Sequence, residues 1–152
     1  MKYLFYIAKK YSIPIIQPLA KFLDESDDEY ALFISAKVKK VIGSEWQGFT
    51  LITEVDEAIA FQPDFVITPG NFIDHRIPGS KVQIFHGLGI EKESHYKIRH
   101  FFDVYLTSGP VVTERFNQLQ QKYQNFLVRE TGWPKVDYIL KYNIRDLRAI
   151  WY

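Results

Sequence analysis

The sequence contains no cysteine, which excludes disulfides, thiolate metal sites and a cysteine nucleophile. Neither sign of charge is in excess: 19 Lys and Arg face 18 Asp and Glu, for a net +1. That balance gives no electrostatic case for a nucleic-acid partner. No stretch approaches the roughly 18–20 apolar residues that a membrane span requires. The N-terminal MKYLFYIAKK has an apolar run, but it stops at Lys9 and Lys10. It is too short for a secretory core and has no small-residue cleavage site. These absences predict a cytoplasmic chain and leave peripheral contact with the inner face of a membrane open.

Several sites of chemistry are missing as well. No G-x-S-x-G elbow exists for a serine hydrolase. His95 and His100 are five positions apart, roughly 140° around a helix, so they cannot share a metal as i,i+4 histidines do. The acidic stretch DESDDE (24–29) lacks the D-x-D spacing of many metal-dependent sugar transferases and reads as a solvated turn. Neither a metal nor a cofactor is expected. GLGIEK (87–92) has Lys92 where a dinucleotide fingerprint needs its third glycine, and GSEWQGFT (43–50) has Phe49 where a phosphate loop needs lysine.

What is present is a globular chain. Its 152 residues are 47% apolar and 24% charged, which predicts a single domain over 1–152 with one sizeable core. Twelve Phe and ten Tyr predict a ring-rich core or surface. Strands are expected at 3–8, 30–36, 49–53, 64–68, 82–85, 103–108 and 125–130. Helices are expected at 13–26, with Ser12 as N-cap and Ile15, Ile16, Leu19, Phe22 and Leu23 inward, and at 54–62 and 110–123. Pro18 is awkward inside the first helix, whereas Pro110 sits well at the start of the last. KIRHFF (97–102) mixes bases and rings; it reads as an amphipathic segment with Ile98, Phe101 and Phe102 inward, or as a surface for an anionic polymer or headgroup.

Strands apolar on both faces and alternating with helices predict an α/β fold: a Rossmann-like parallel sheet with helices on both faces. Ligands of such sheets bind beyond the carboxyl ends of the strands. That rule gathers Pro69-Gly70-Asn71, His86-Gly87, Ser108-Gly109 and Thr131-Gly132-Trp133 on one rim. A glycine after a strand needs no function, but four such endings on one rim predict a cleft. VQIFHGLG (82–89) makes the sharpest case, because a buried strand ends in one of only four histidines. An imidazole held there is suited to proton abstraction near neutral pH. Gly87 lets substrate approach the backbone closely.

The order of motifs then resembles the CDP-glycerol glycerophosphotransferase family of teichoic-acid primases and polymerases. His86 and Gly87 match the start of its H-G-T-x-x-K pattern, with Lys92 as the lysine, six positions after His86 as in looser members. Asp103, Thr107, Ser108 and Gly109 match D-x-x-x-T-S-G, and Gly132, Pro134, Lys135 and Asp137 match G-x-P-R-x-D. Leu88 stands where that family commonly has threonine, and Lys135 where it has arginine. The motifs cover about 80–140; earlier residues match by topology only. The layout is similar, more distantly, to UDP-N-acetylglucosamine 2-epimerases.

The resemblance implies a GT-B enzyme of two Rossmann-like domains. This chain would be the N-terminal, acceptor-side half, inactive without a C-terminal domain that binds the nucleotide donor. It implies His86 as the base on an acceptor hydroxyl, with CDP-glycerol as donor and a polyol phosphate as acceptor. Gly87, Lys92, Ser108, Gly109 and Gly132 would contact substrate. Another GT-B enzyme acting on a nucleotide sugar (a glycosyltransferase or an epimerase-like protein, with a sugar acceptor) and a non-catalytic binding domain are the competing expectations.

Overall fold

The computed structural model describes residues 1–40, 42–43, 46, 48–85 and 93–136. Its centre is a parallel sheet built from β1 (Lys2–Ile7), β2 (Glu29–Ile34), β3 (Leu51–Ile52), β4 (Phe65–Thr68), β5 (Ser80–Ile84), β6 (Val104–Thr107) and β7 (Leu127–Glu130). The strand order is β3-β2-β1-β4-β5-β6-β7, and every neighbouring pair runs parallel. The helices are α1 (Ile13–Leu23), α2 (Ala36–Lys39), α3 (Val55–Phe61) and α4 (Pro110–Tyr123). The α/β, Rossmann-like architecture read from the sequence is the one observed.

Two-sided burial follows from the period of two along each strand. Leu4 and Tyr6 of β1, with Ala31 and Phe33 of β2, point into one core with α3 and α4. Phe5 and Ile7, with Leu32 and Ile34, point into the other with α1 and α2. Direction explains which helix covers which face. From β1 the chain steps outward through β2 to β3, and from β3 it crosses back to β4 and continues to β7. A right-handed crossover that reverses direction must change face. Accordingly α1 and α2 lie on one side, and α3 and α4 on the other.

The ring-rich core is also present. Phe116 of α4 is fully buried and meets Phe85, Tyr96 and Tyr105 at centroid separations of 5.1, 5.5 and 4.9 Å. Truncating such a side chain to alanine costs about 3–5 kcal/mol. Burial pushes the Tyr105 hydroxyl up to about 12.

Local departures from the sequence reading have physical reasons. Ser12 precedes α1 but caps nothing through its side chain, because a 3-10 turn over Lys10–Ser12 already leads into the helix in helical geometry. Pro14 occupies the first turn, and Pro18 is accommodated inside the helix. Phe22, expected inward, is 70% exposed: Ile15, Ile16 and Ala20 already form the buried face. The helix stops at Leu23. The strand expected over 49–53 pairs only at Leu51–Ile52. Helix α2 is a single turn, too short to show periodicity, and is started by the Ser35 side chain accepting from the Val38 amide. In KIRHFF, Phe102 is buried and Ile98 and Phe101 pack against the core, as expected, but without helical geometry.

A cationic cleft at the carboxyl rim

Strands β1 and β4 are neighbours whose following segments leave toward opposite faces, which makes their carboxyl ends the switch point of the sheet. A cleft of about 390 Å³ opens there. Lys9 and Tyr11 enter it from the segment after β1, and Pro69, Gly70 and Asn71 from the loop after β4. Gln83 and Phe85 come from β5 and its end, and Ser94, His95 and Arg99 from the connection toward β6.

The two banks are joined by buried hydrogen bonds. The Thr68 hydroxyl, fully buried, donates to the Tyr6 carbonyl at 3.0 Å and accepts from the Gly70 amide at 3.0 Å. The Gln83 side-chain amide donates to the Gly70 carbonyl at 2.8 Å. Both backbone groups of Gly70 are therefore held by buried side chains from β4 and β5. A Cβ at position 70 would lie 3.2 Å from the Thr68 hydroxyl oxygen, so glycine lets the loop sit this close to the strand.

The charge is one-sided. Lys9 and Arg99 line the cleft beside His95, and among the described residues no carboxylate does. Neither Lys9 nor Arg99 forms an ion pair with a described residue. One guanidinium nitrogen of Arg99 donates to the Lys97 carbonyl at 3.2 Å, and a backbone hydrogen bond links Arg99 to the buried Tyr105 hydroxyl. Burial at the cleft wall raises the Tyr11 hydroxyl above its ordinary value. Lys9 and Arg99, with no ion-pair partner among the described residues, suit the cleft to an anion. Among the described residues, no cluster of three or more His, Asp or Glu converges to hold a metal ion, and no helix is long and apolar enough to cross a membrane.

Of the sequence-selected residues, His86, Gly87 and Lys92 lie outside the described residues, as does Asp137. Phe85, the residue before His86, lines the cleft. Gly70 and Asn71 are in it. Ser108 and Gly109 close β6 and open α4, and Gly132 follows β7 with φ +83°. These three share the rim, but none of them lines the cleft. Gly132 and Thr131 instead donate backbone amides to the Thr107 carbonyl at 3.2 and 3.1 Å, which ties the two loop endings together. Sequence reading missed Lys9 and Gln83, and met Arg99 only within KIRHFF (97–102), read as an amphipathic segment or as a surface for an anionic partner. Gln83 had a readable signal, because a polar residue inside the otherwise apolar VQIF is costly unless it is hydrogen-bonded. His95 and His100 do not share a helix: His95 is in the 3-10 turn Glu93–Tyr96, and His100 is left-handed at φ 58°.

No protein-family model matches the chain, and no curated protein matches it. Among solved structures it is similar to UDP-GlcNAc 2-epimerase from Methanocaldococcus jannaschii, with a TM-score of 0.63 and 11% identity. The match takes in 99% of this chain and 52% of that one, so the chain spans about half the length of the structure it resembles. At this identity the likeness concerns the fold: a Rossmann-like layer of the kind found in that GT-B-like enzyme.

Proposed function

We propose that the chain is the Rossmann-like half of a GT-B-type enzyme acting on a nucleotide-activated substrate, and that the cleft at its rim holds a phosphate-bearing group of that substrate or its acceptor. The observation that carries this reading is the position of Lys9 and Arg99, beside His95, at the β1–β4 switch point with no carboxylate among the described lining residues. The structural likeness to a nucleotide-sugar epimerase is compatible with it.

Within that class, the motif order favours transfer of glycerol phosphate from CDP-glycerol to a polyol phosphate. A base would remove the acceptor hydroxyl proton, the oxygen would attack the β-phosphorus, and CMP would leave. His86 is the base in this proposal, because it follows Phe85 at the end of a strand that feeds the cleft and neutral imidazole suits the task. Gly87, Lys92, Ser108, Gly109 and Gly132 are the proposed substrate contacts, and the proposed place of work is the cytoplasmic face of a membrane. The second reading, an epimerase-like nucleotide-sugar enzyme, is favoured by the structural neighbour alone.

Product analysis of the two-domain enzyme, this half joined to its proposed nucleotide-binding half, separates them. With CDP-glycerol and a glycerol-phosphate acceptor, chromatography is expected to show CMP released in step with acceptor extension. Turnover of UDP-GlcNAc without CMP release would replace the first reading by the second, and turnover of neither would overturn both.

A further inference from the structure

Residues 1–43 segregate their charge by the ends of the strands. Every carboxylate among them lies in 24–29, the turn that enters β2 at its amino end. The carboxyl end carries lysine instead. Lys9 and Lys10 follow β1, and Lys37, Lys39 and Lys40 belong to α2 and its C-cap after β2. All five are exposed, and none forms an ion pair with a described residue. Hydrogen bonds hold the two stretches side by side. The Ser35 amide donates to the Ile7 carbonyl at 3.2 Å, and its hydroxyl donates to the Ala8 carbonyl at 2.9 Å. The same hydroxyl accepts from the Val38 amide at 3.4 Å and starts α2 beside Lys9. Val38 is buried and anchors that turn, which leaves the lysines around it at the surface. The neighbouring strand β3 is followed by Glu54, Asp56 and Glu57, but these start α3 over the other face, where Glu54 and Glu57 form its capping box.

Lys9 also lines the cleft, so the lysine run is continuous with it. Two steps of the sheet separate β4 from β2, about 10 Å at the usual strand spacing, which is wider than one phosphate group. We propose that these lysines form a track for further phosphates: a ligand with one phosphoryl group in the cleft continues as an anionic chain over Lys10 to Lys37, Lys39 and Lys40. This rests on the phosphate-binding reading of the cleft and narrows its ligand to a chain of repeated phosphates. Like charges held together repel, and a polyanion relieves that repulsion while releasing its own counterions. A bilayer is the poorer match. Surface binding to lipid pairs basic residues with an apolar face that enters the acyl boundary, and here the exposed ring among the lysines, Tyr11, lines the cleft instead.

The experiment titrates the chain with orthophosphate and with long-chain inorganic polyphosphate at constant ionic strength, followed by amide-detected NMR. Polyphosphate is expected to bind on the order of 10²-fold more tightly per molecule, the usual gain from linked contacts along one ligand. Its shifts should reach Lys37, Lys39 and Lys40, which orthophosphate leaves unmoved. Replacing these three together (Lys37→Ala, Lys39→Ala and Lys40→Ala) is expected to remove most of that gain and to leave orthophosphate affinity unchanged. The slope of log affinity for polyphosphate against log salt should shrink by roughly 0.7 for each lysine removed, as for a flexible single-stranded polyanion. Equal affinity of the unmodified chain for the two probes would overturn the track and leave the phosphate cleft standing, and that comparison needs no variant. A triple variant that keeps the full gain would overturn the track as well. Binding to phosphatidylglycerol vesicles without a preference for polyphosphate would give the lysines to a bilayer and overturn it too. Binding of neither phosphate probe would overturn the track and the phosphate reading together.

Discussion

The Thr68 hydroxyl donates to the Tyr6 carbonyl at 3.0 Å, joining the last residue of β4 to the end of β1 just past the point where their paired register runs out at Phe5 and Ile67. The same oxygen accepts from the Gly70 amide. One buried side chain therefore extends the strand pairing and sets the path of the loop that walls the cleft. Thr68→Val keeps the shape and removes both bonds. The expected cost is about 1–3 kcal/mol, read as a lower denaturant midpoint. Amide shifts in the folded variant should cluster at Gly70 and Asn71. An unchanged midpoint would mean that the hydroxyl is not needed to hold the loop.

At the amino-terminal ends of the strands two aspartates repeat one device. Asp64 accepts from the Lys2 amide at 2.7 Å through its carboxylate while its own amide donates to the Lys2 carbonyl at 2.8 Å. Asp103 does the same with Lys81 at 2.6 and 2.9 Å. Each carboxylate starts a parallel pairing by satisfying the first amide of the neighbouring strand. Asp64→Ala and Asp103→Ala should each lose about 1–2 kcal/mol in chemical unfolding, and the asparagine variants less, since an amide oxygen still accepts. Equal losses for alanine and asparagine would point to charge rather than hydrogen bonding.

The Arg76 guanidinium grips the Asp74 carboxylate with two bonds of 3.0 and 2.8 Å, and these hold its carboxyl down at about 2. A depressed folded value means stability that is present above the ordinary value near 3.8 and is lost as pH falls through about 2. The pair is partly exposed, so solvent screens it and the effect on stability is small. Carboxyl-detected NMR should place the Asp74 midpoint near 2, and Arg76→Ala should move it up. A midpoint that ignores the substitution would contradict this origin.

Under the proposed function, His86→Ala in the complete two-domain enzyme should reduce turnover of CDP-glycerol by on the order of 10²–10⁴-fold, the usual contribution of a positioned general base. Donor affinity should be nearly unchanged, because the base acts on the acceptor. A variant that keeps full turnover would remove His86 from the chemistry.

Much of the fold was legible because hydrophobic period and turn residues are local signals. Strands such as YLFYIA and YALFIS announce two-sided burial, and their alternation with helices leaves few topologies besides a parallel sheet. The single turn of α2 and the outward Phe22 were not legible, since a four-residue helix has no period and a helix does not reveal which flank of its apolar stripe stays uncovered. The site was half legible. The rule for carboxyl ends led to Gly70 and Asn71, and the same rim holds Ser108, Gly109 and Gly132 away from the cleft. Lys9 and Arg99 are 90 positions apart and meet only because strand order makes β1 and β5 near neighbours flanking β4, a relationship that no local pattern carries.

The central claim is that the cleft at the β1–β4 switch point binds a phosphoryl group, and titration of the chain with inorganic phosphate tests it most directly. At constant ionic strength, followed by amide NMR, saturable shifts are expected at Lys9, Tyr11, Gly70, Asn71, Ser94 and Arg99. Chloride at equal ionic strength should not reproduce them, and Lys9→Ala combined with Arg99→Ala should abolish them. Saturable shifts confined to the opposite edge of the sheet, or none at all, would contradict the account.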